Sequence, residues 1–156
     1  MKPDIGLKSS SLKEISGHLE EFLATTYALY LKTQNFHWNL KGPDFYSLHL
    51  LFQKQYEEMA EAIDEIAERI QSLGSFVDGS FGSFEKLSKI KEAKKRPSQK
   101  GMIEELLEGH ETLSKLGRPL ITSFQKLQDD VTSDLLIKRL AFHEKAAWML
   151  RSHLST

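Results

Sequence analysis

Four side chains in the first half of the sequence are of types that hold metal ions: His37, His49, Asp64 and Glu68. Imidazole and carboxylate together suit iron or manganese rather than a soft-metal site. The chain has no cysteine. Disulfide scaffolds, thiolate zinc sites, iron–sulfur clusters and cysteine nucleophiles are therefore excluded. Phosphate-binding loops, dinucleotide-binding glycine motifs, His-Glu-x-x-His and serine nucleophile elbows are also absent. Asp64 and Glu68 stand four residues apart, so a helix stacks their carboxylates on one face. The run 57–69 is crowded with Glu, Asp and Arg, and the same pattern fits an ordinary solvated face.

Spacing constrains how the four groups meet. His49 and Asp64 are 15 residues apart, roughly 22 Å along one helix at 1.5 Å per residue. Metal ligands lie about 2 Å from their ion, so a straight helix cannot bring both to one site. Either the two pairs are unrelated or a second copy supplies one of them. Two such helices packed antiparallel across a two-fold axis would oppose His49 of one chain to Asp64 and Glu68 of the other, and make the site twice. The Glu-x-x-His motif from which bundle cores build internal di-iron centres does not occur.

The elements that must position these groups read as helices. Ile15, Phe22, Leu29 and Phe36 recur every seven residues, with Leu19, Thr26 and Thr33 between them. This predicts a helix over about 12–38, with Ser11 and Glu14 as a capping box and Gly42-Pro43 closing it. Phe52, Met59, Ile66 and Leu73, interleaved with Tyr56, Ile63 and Ile70, predict a second helix from an Asp44 N-cap to a Gly74 C-cap. A glycine-, serine- and lysine-rich connection follows, with a short helix expected at 84–90. A third long helix carries Ile103, Leu107, His110, Leu113, Leu120, Phe124 and Leu127, and Pro119 should kink it or disturb one turn. A fourth begins near Thr132 and carries Leu136, Leu140, His143, Ala147, Leu150 and Leu154. His110 and His143 lie on apolar stripes and are read as packed, hydrogen-bonded core residues. No strand pattern competes, so the fold class is all-α: a four-helix bundle with a short extra helix between helices two and three. The chain of 156 residues is expected to be one domain over 1–156, with 1–11 as a short tail.

Charge and hydropathy exclude other classes. The net charge of −1 gives no global field toward nucleic acid or anionic lipid. The segment MKPDIGLKSSSLKEI lacks an apolar core of signal-peptide length, and stretches such as LATTYALYL are too short to span a membrane. A cytoplasmic protein with no membrane partner is expected.

The stretch NFHWNLKGPDFYSLH, followed by DEIAERI, resembles the Dps family (DNA-binding proteins from starved cells), the bacterial mini-ferritins. The order His, eleven residues, His, fourteen residues, Asp, three residues, Glu has the family's spacing. The matching stretch runs over about 26–74, and DDVTSDLLIKRLAFHEKAAWMLRSHL resembles the family's last helix more loosely. The resemblance implies a ferritin-like fold and a hollow dodecamer. It implies di-iron sites with His37 and His49 from one subunit and Asp64 and Glu68 from its neighbour. Ferroxidase activity follows: ferrous iron is oxidised by hydrogen peroxide or dioxygen, and ferric mineral is stored in the cavity, protecting cell and DNA. Trp38 matches a tryptophan thought to quench oxidising equivalents, and interface packing is an equal alternative.

Some positions depart from that pattern. Where many members carry acidic residues after the second histidine, this chain has Leu50, Leu51, Phe52, Gln53 and Lys54, leaving Glu57, Glu58 or Glu61 for mineral nucleation. Asp130 and Asp134 are candidates for iron-guiding pores, with helix capping as the alternative. Lys2, Lys8 and Lys13 make only a short basic tail. A stronger basic patch lies at 85–100, where Lys86, Lys89, Lys91, Lys94, Lys95, Arg96 and Lys100 oppose Glu85 and Glu92. Seven basic and two acidic residues give +5, leaving −6 for the remainder of the chain. The alternative function is therefore a non-specific DNA-binding, nucleoid-compacting cage with little iron storage.

Overall fold

The fold was read from a computed structural model, which describes residues 3–93 and 95–154. Five helices follow one another: α1 Ser9–Asn39, α2 Phe45–Ser72, α3 Phe81–Leu87, α4 Gln99–Lys126 and α5 Asp130–Leu154. Among the described residues there is no strand. α1 packs chiefly on α2 and α4 on α5, while α1 also contacts α3 and α4. The predicted stripes meet in one core: Ile15, Leu19, Phe22 and Leu29 of α1, Phe52, Met59 and Ile66 of α2, Leu106, Leu113 and Phe124 of α4, Leu136 and Leu150 of α5. Burying such side chains stabilises by about 1.5–3 kcal/mol each, which is why amphipathic stripes of this length pair into a bundle. α1 and α4 approach closely at Gly109, where an added Cβ would lie 2.4 Å from Leu29 Cδ1.

Local chemistry shifts several helix ends from their expected places. α1 starts at Ser9 rather than Leu12, and the Ser11–Glu14 capping box does not form. Ser11 and Leu12 are buried, so packing draws the helix back one turn, and the Leu12 amide donates to the Lys8 carbonyl. Asp44 does occupy the N-cap of α2 but makes no capping bond; its carboxylate accepts from Gln99 Nε2 at 3.0 Å. The far end of α2 follows expectation. Gly74 has φ +84°, its amide donates to Gln71 and that of Ser75 to Ile70, a left-handed glycine cap. The short helix lies at Phe81–Leu87, not 84–90, because Ser80 Oγ accepts from the Ser83 amide and Ser88 turns extended. α4 runs through Pro119 as one helix, and that residue is exposed. α5 starts at Asp130 rather than Thr132, because the buried Asp129 carboxylate accepts from the Thr132 amide at 3.0 Å and from Arg69 Nη2 at 2.9 Å. No helix among the described residues is long and apolar enough to cross a membrane.

Candidate metal centre

The turn between α1 and α2 creates the site. Leu40 is buried, Gly42 takes φ +136°, and the Phe45 amide donates to the Gly42 carbonyl. The chain reverses within a few residues. The last turn of α1 thereby faces the first turns of α2, with His37 against His49.

The two imidazoles stack, with ring centroids 3.8 Å apart and planes 17° from parallel. Each ring is tied to the other residue's backbone. His37 Nδ1 donates to the His49 carbonyl at 2.9 Å, and His49 Nδ1 donates to the His37 carbonyl at 3.1 Å. A carbonyl only accepts, so Nδ1 must carry the proton in both neutral rings. Both Nε2 atoms are therefore lone-pair donors of fixed orientation. Backbone bonds of this kind preset metal-binding histidines. Phe45 stacks on His49 with centroids 5.0 Å apart, and Tyr56 meets His37 edge-on at 5.1 Å. His37 is only 8% exposed, whereas neighbouring Trp38 is 63%, Tyr46 74% and Phe45 43% exposed. Large apolar side chains grouped in the open mark a surface suited to another protein chain.

Asp64 and Glu68 lie one turn apart on α2, both exposed, and they do not reach the histidines. Among the described residues, no three His, Asp or Glu side chains of one chain gather as a metal site. A single chain keeps the two pairs apart.

The remaining candidates separate by their partners. His110 and His143 are fully buried, and their Nδ1 atoms share a hydrogen bond at 2.9 Å. Burial, aided by the Arg139 guanidinium, pushes His110 down to about 3. Burial, His110 and Arg139 push His143 well below its usual value. Arg139 is itself buried and grips the Glu58 carboxylate with both Nη atoms, the second at 2.8 Å. Glu58 is thus held by an ion pair, while Glu57 accepts from Gln53 Nε2 at 2.7 Å and Glu61 is exposed. Asp134 pairs with Lys138 at 2.8 Å, and Asp130 sits in the exposed first turn of α5. In the basic segment Lys89 pairs with Glu21 at 2.9 Å and Arg96 donates to Asn39, while Lys86, Lys91 and Lys95 are exposed. Lys2 and Lys94 lie outside the described residues.

Sequence spacing did not single out Tyr56 or Arg139. Tyr56 reads as one more stripe position on α2, yet its ring touches the histidine pair. The available signal was register. His37 and His49 face each other across antiparallel helices, and seven residues inward on each helix stand Tyr30 and Tyr56.

Helix order, core and a histidine pair at the α1–α2 turn define a ferritin-like protein. Residues 17–156 match the ferritin-like domain family. The chain is 36% identical over 143 residues to DNA protection during starvation protein 2 of Bacillus anthracis, covering 92% of this chain and 98% of that one. It is 39% identical over 153 residues to an uncharacterised low temperature-induced protein of Nostoc sp., covering 97% and 86%. Among solved structures it is similar to a Vibrio cholerae Dps protein described as a ferritin-like diiron-carboxylate protein, with 29% identity, TM-score 0.94, and 99% and 97% of the two chains covered. It is likewise similar to Staphylococcus aureus Dps, with 35% identity, TM-score 0.89 and coverage of 92% and 97%. The chain belongs to the Dps family, and it is a Dps-type mini-ferritin.

Proposed function

We propose that this protein is a bacterial cytoplasmic ferroxidase and iron store that assembles into a dodecameric cage. Ferrous iron is its substrate. His37 and His49 of one subunit and Asp64 and Glu68 of a two-fold neighbour hold two ferrous ions. Hydrogen peroxide then accepts one electron from each ion. Its O–O bond breaks, two protons are taken up, and two water molecules leave beside two ferric ions. Spending peroxide by electron pairs avoids hydroxyl radical. The carboxylates favour the ferric product, and the neutral imidazoles retain enough ferrous affinity for loading. Ferric iron passes into the cage, with Glu57 and Glu61 the acids left for nucleation once Glu58 is bound to Arg139.

One observation carries this reading: two Nε2 lone pairs preset by reciprocal backbone bonds, beside exposed apolar side chains that a second chain would cover. The roughly 22 Å between His49 and Asp64 along α2 matches two antiparallel copies better than one folded chain.

Complementation tests it. A His37→Ala/His49→Ala variant and an Asp64→Ala/Glu68→Ala variant are each expected to lose peroxide-driven iron oxidation, followed by ferric absorbance. When the two are reassembled together, each mixed pair regains one intact site and activity returns. Inactivity of the mixture, with assembly intact, would refute a shared site.

The exposed Lys86, Lys91 and Lys95 favour a second reading, DNA binding through phosphates. A gel shift that appears at low salt, fades with rising salt and vanishes on reversing those three charges would support it.

A further inference from the structure

The outward stripe of α2 carries more negative charge than its own chain neutralises. Leu50, Lys54, Glu57, Glu61, Asp64 and Glu68 follow one another in alternating steps of four and three residues. At about 100° per residue they fall within about 80° of the helix circumference, and all six are exposed. The other charges of α2 are committed inside the chain. Glu58 is gripped by Arg139, and Arg69 binds Asp129 at 2.9 Å. Asp134, with a smaller contribution from Glu65, raises the Lys138 amine above its usual value, so Glu65 belongs to the α5 side. Four carboxylates and one ammonium remain on the stripe. Glu57 accepts from the neutral Gln53 amide, and among the described residues Lys54 enters no ion pair of its own chain.

We propose that Lys54 pairs with the partner's Glu61 across the two-fold axis, and that this contact, made twice in each dimer, holds the two acid-lined stripes together before iron arrives. The proposal rests on the shared-site reading above, which sets the register. There His49 faces residues 64 to 68 of the partner. In antiparallel helices each step forward on one is a step back on the other, so Lys54, five residues on, faces 59 to 63. That window reads Met59, Ala60, Glu61, Ala62 and Ile63, and Glu61 is its one ionisable residue. Lys54 and Glu61 stand seven residues apart, close to two turns, so they share one edge of the stripe. A two-fold carries that edge to the same side of the seam, which makes both contacts alike. By the same register Glu57 faces 56 to 60 and meets its own copy near the axis. Without Lys54 the seam would set carboxylate against carboxylate, a costly juxtaposition at an interface. Asp64 and Glu68 gain their countercharge from iron, whereas Glu61 gains its own from the partner's Lys54. The pairing occupies Glu61 and narrows the acids left for nucleation to Glu57.

The experiment uses the full-length, metal-free protein, with dissociation followed by sedimentation velocity as the solution is diluted at low salt. Lys54→Glu and Glu61→Lys are each expected to weaken assembly by at least about tenfold, with helix content by circular dichroism unchanged. Mixing the two variants then gives a result that no change inside one chain can imitate. In a mixed pair opposite charges meet at both contacts, so assembly is expected to return to within about threefold of wild type. The Lys54→Glu/Glu61→Lys double variant should recover on its own in the same way. Single variants that assemble as tightly as wild type, or a mixture that stays dissociated, would overturn the ion pair. The shared site would still stand in that case if the His37/His49 and Asp64/Glu68 variants complement each other. Failure of that complementation, with assembly intact, would remove the register and overturn both.

Discussion

Two histidine pairs sit in this bundle and are built in opposite ways. In the pair His37 and His49, each Nδ1 proton goes to a backbone carbonyl and each Nε2 lone pair is left available. In the pair His110 and His143 the two Nδ1 atoms bind one another, so one ring is the donor and the other the acceptor. Their Nε2 atoms are buried with no hydrogen-bond partner among the described residues. Arg139 adds a positive charge nearby. A cation has nothing to gain there, and neither does a proton. The residue type is the same in both pairs; what each Nδ1 meets leaves a pair of lone pairs available at the α1–α2 turn and closes the other pair into the core.

Deleting one ring from each pair is expected to have the largest and most unequal effects. His143→Ala leaves the His110 Nδ1 unpaired in the core and opens a cavity, costing about 2–4 kcal/mol of stability. His49→Ala, at a half-exposed position, costs below about 1 kcal/mol while abolishing iron oxidation. Denaturant unfolding at one fixed protein concentration, run beside the oxidation assay, checks both. Equal destabilisation by the two changes would dissolve the distinction.

Acid should act on the buried pair through its depressed proton affinity. The unfolded imidazoles bind protons near pH 6.5, whereas the folded His110 does so only near 3. Between those values the unfolded chain holds more protons, so stability rises with pH and is lost as pH falls from about 6.5 toward 3. The slope reaches about 1.4 kcal/mol per pH unit for each buried imidazole. Unfolding free energy measured from pH 7 to 4 should follow that line. A His110→Gln/His143→Gln variant should flatten it, and an unchanged slope would refute the neutral core pair.

The smallest effect is expected beside the buried pair at Gly109. Gly109→Ala gains about 1 kcal/mol of helix propensity but presses on Leu29, at a cost of about 1–3 kcal/mol. A net loss near 1 kcal/mol, with iron oxidation unchanged, is expected in thermal unfolding and activity assays. A clear gain in stability would show that Leu29 yields freely.

The helices were legible because their stripes are regular, and a stripe repeating every seven residues has few other ways to be buried. Helix ends were less so. Ser11 and Glu14 spell a capping box, yet burial of Ser11 and Leu12 moved the start of α1 back to Ser9. The short helix starts at Phe81, three residues before its expected place, because the Ser80 hydroxyl caps it by accepting from the Ser83 amide. Asp44 was placed at the right cap, but its carboxylate is occupied by Gln99, 55 residues away. Distant partners of this kind leave no mark in local sequence.

The candidate site divides along the same line. Residue types and spacing alone marked His37, His49, Asp64 and Glu68 as candidate metal ligands, and the 15-residue step from His49 to Asp64 keeps one straight α2 from bringing those two to one site. Only the tertiary structure decided which ring nitrogens are free, that Tyr56 leans on His37, that Glu58 is spent on Arg139, and that His110 and His143 bind each other. Periodicity and rise per residue are properties of one helix and travel with its sequence. The tautomer of an imidazole and the neighbour of a ring depend on how two helices meet, and that is set by packing across the whole bundle.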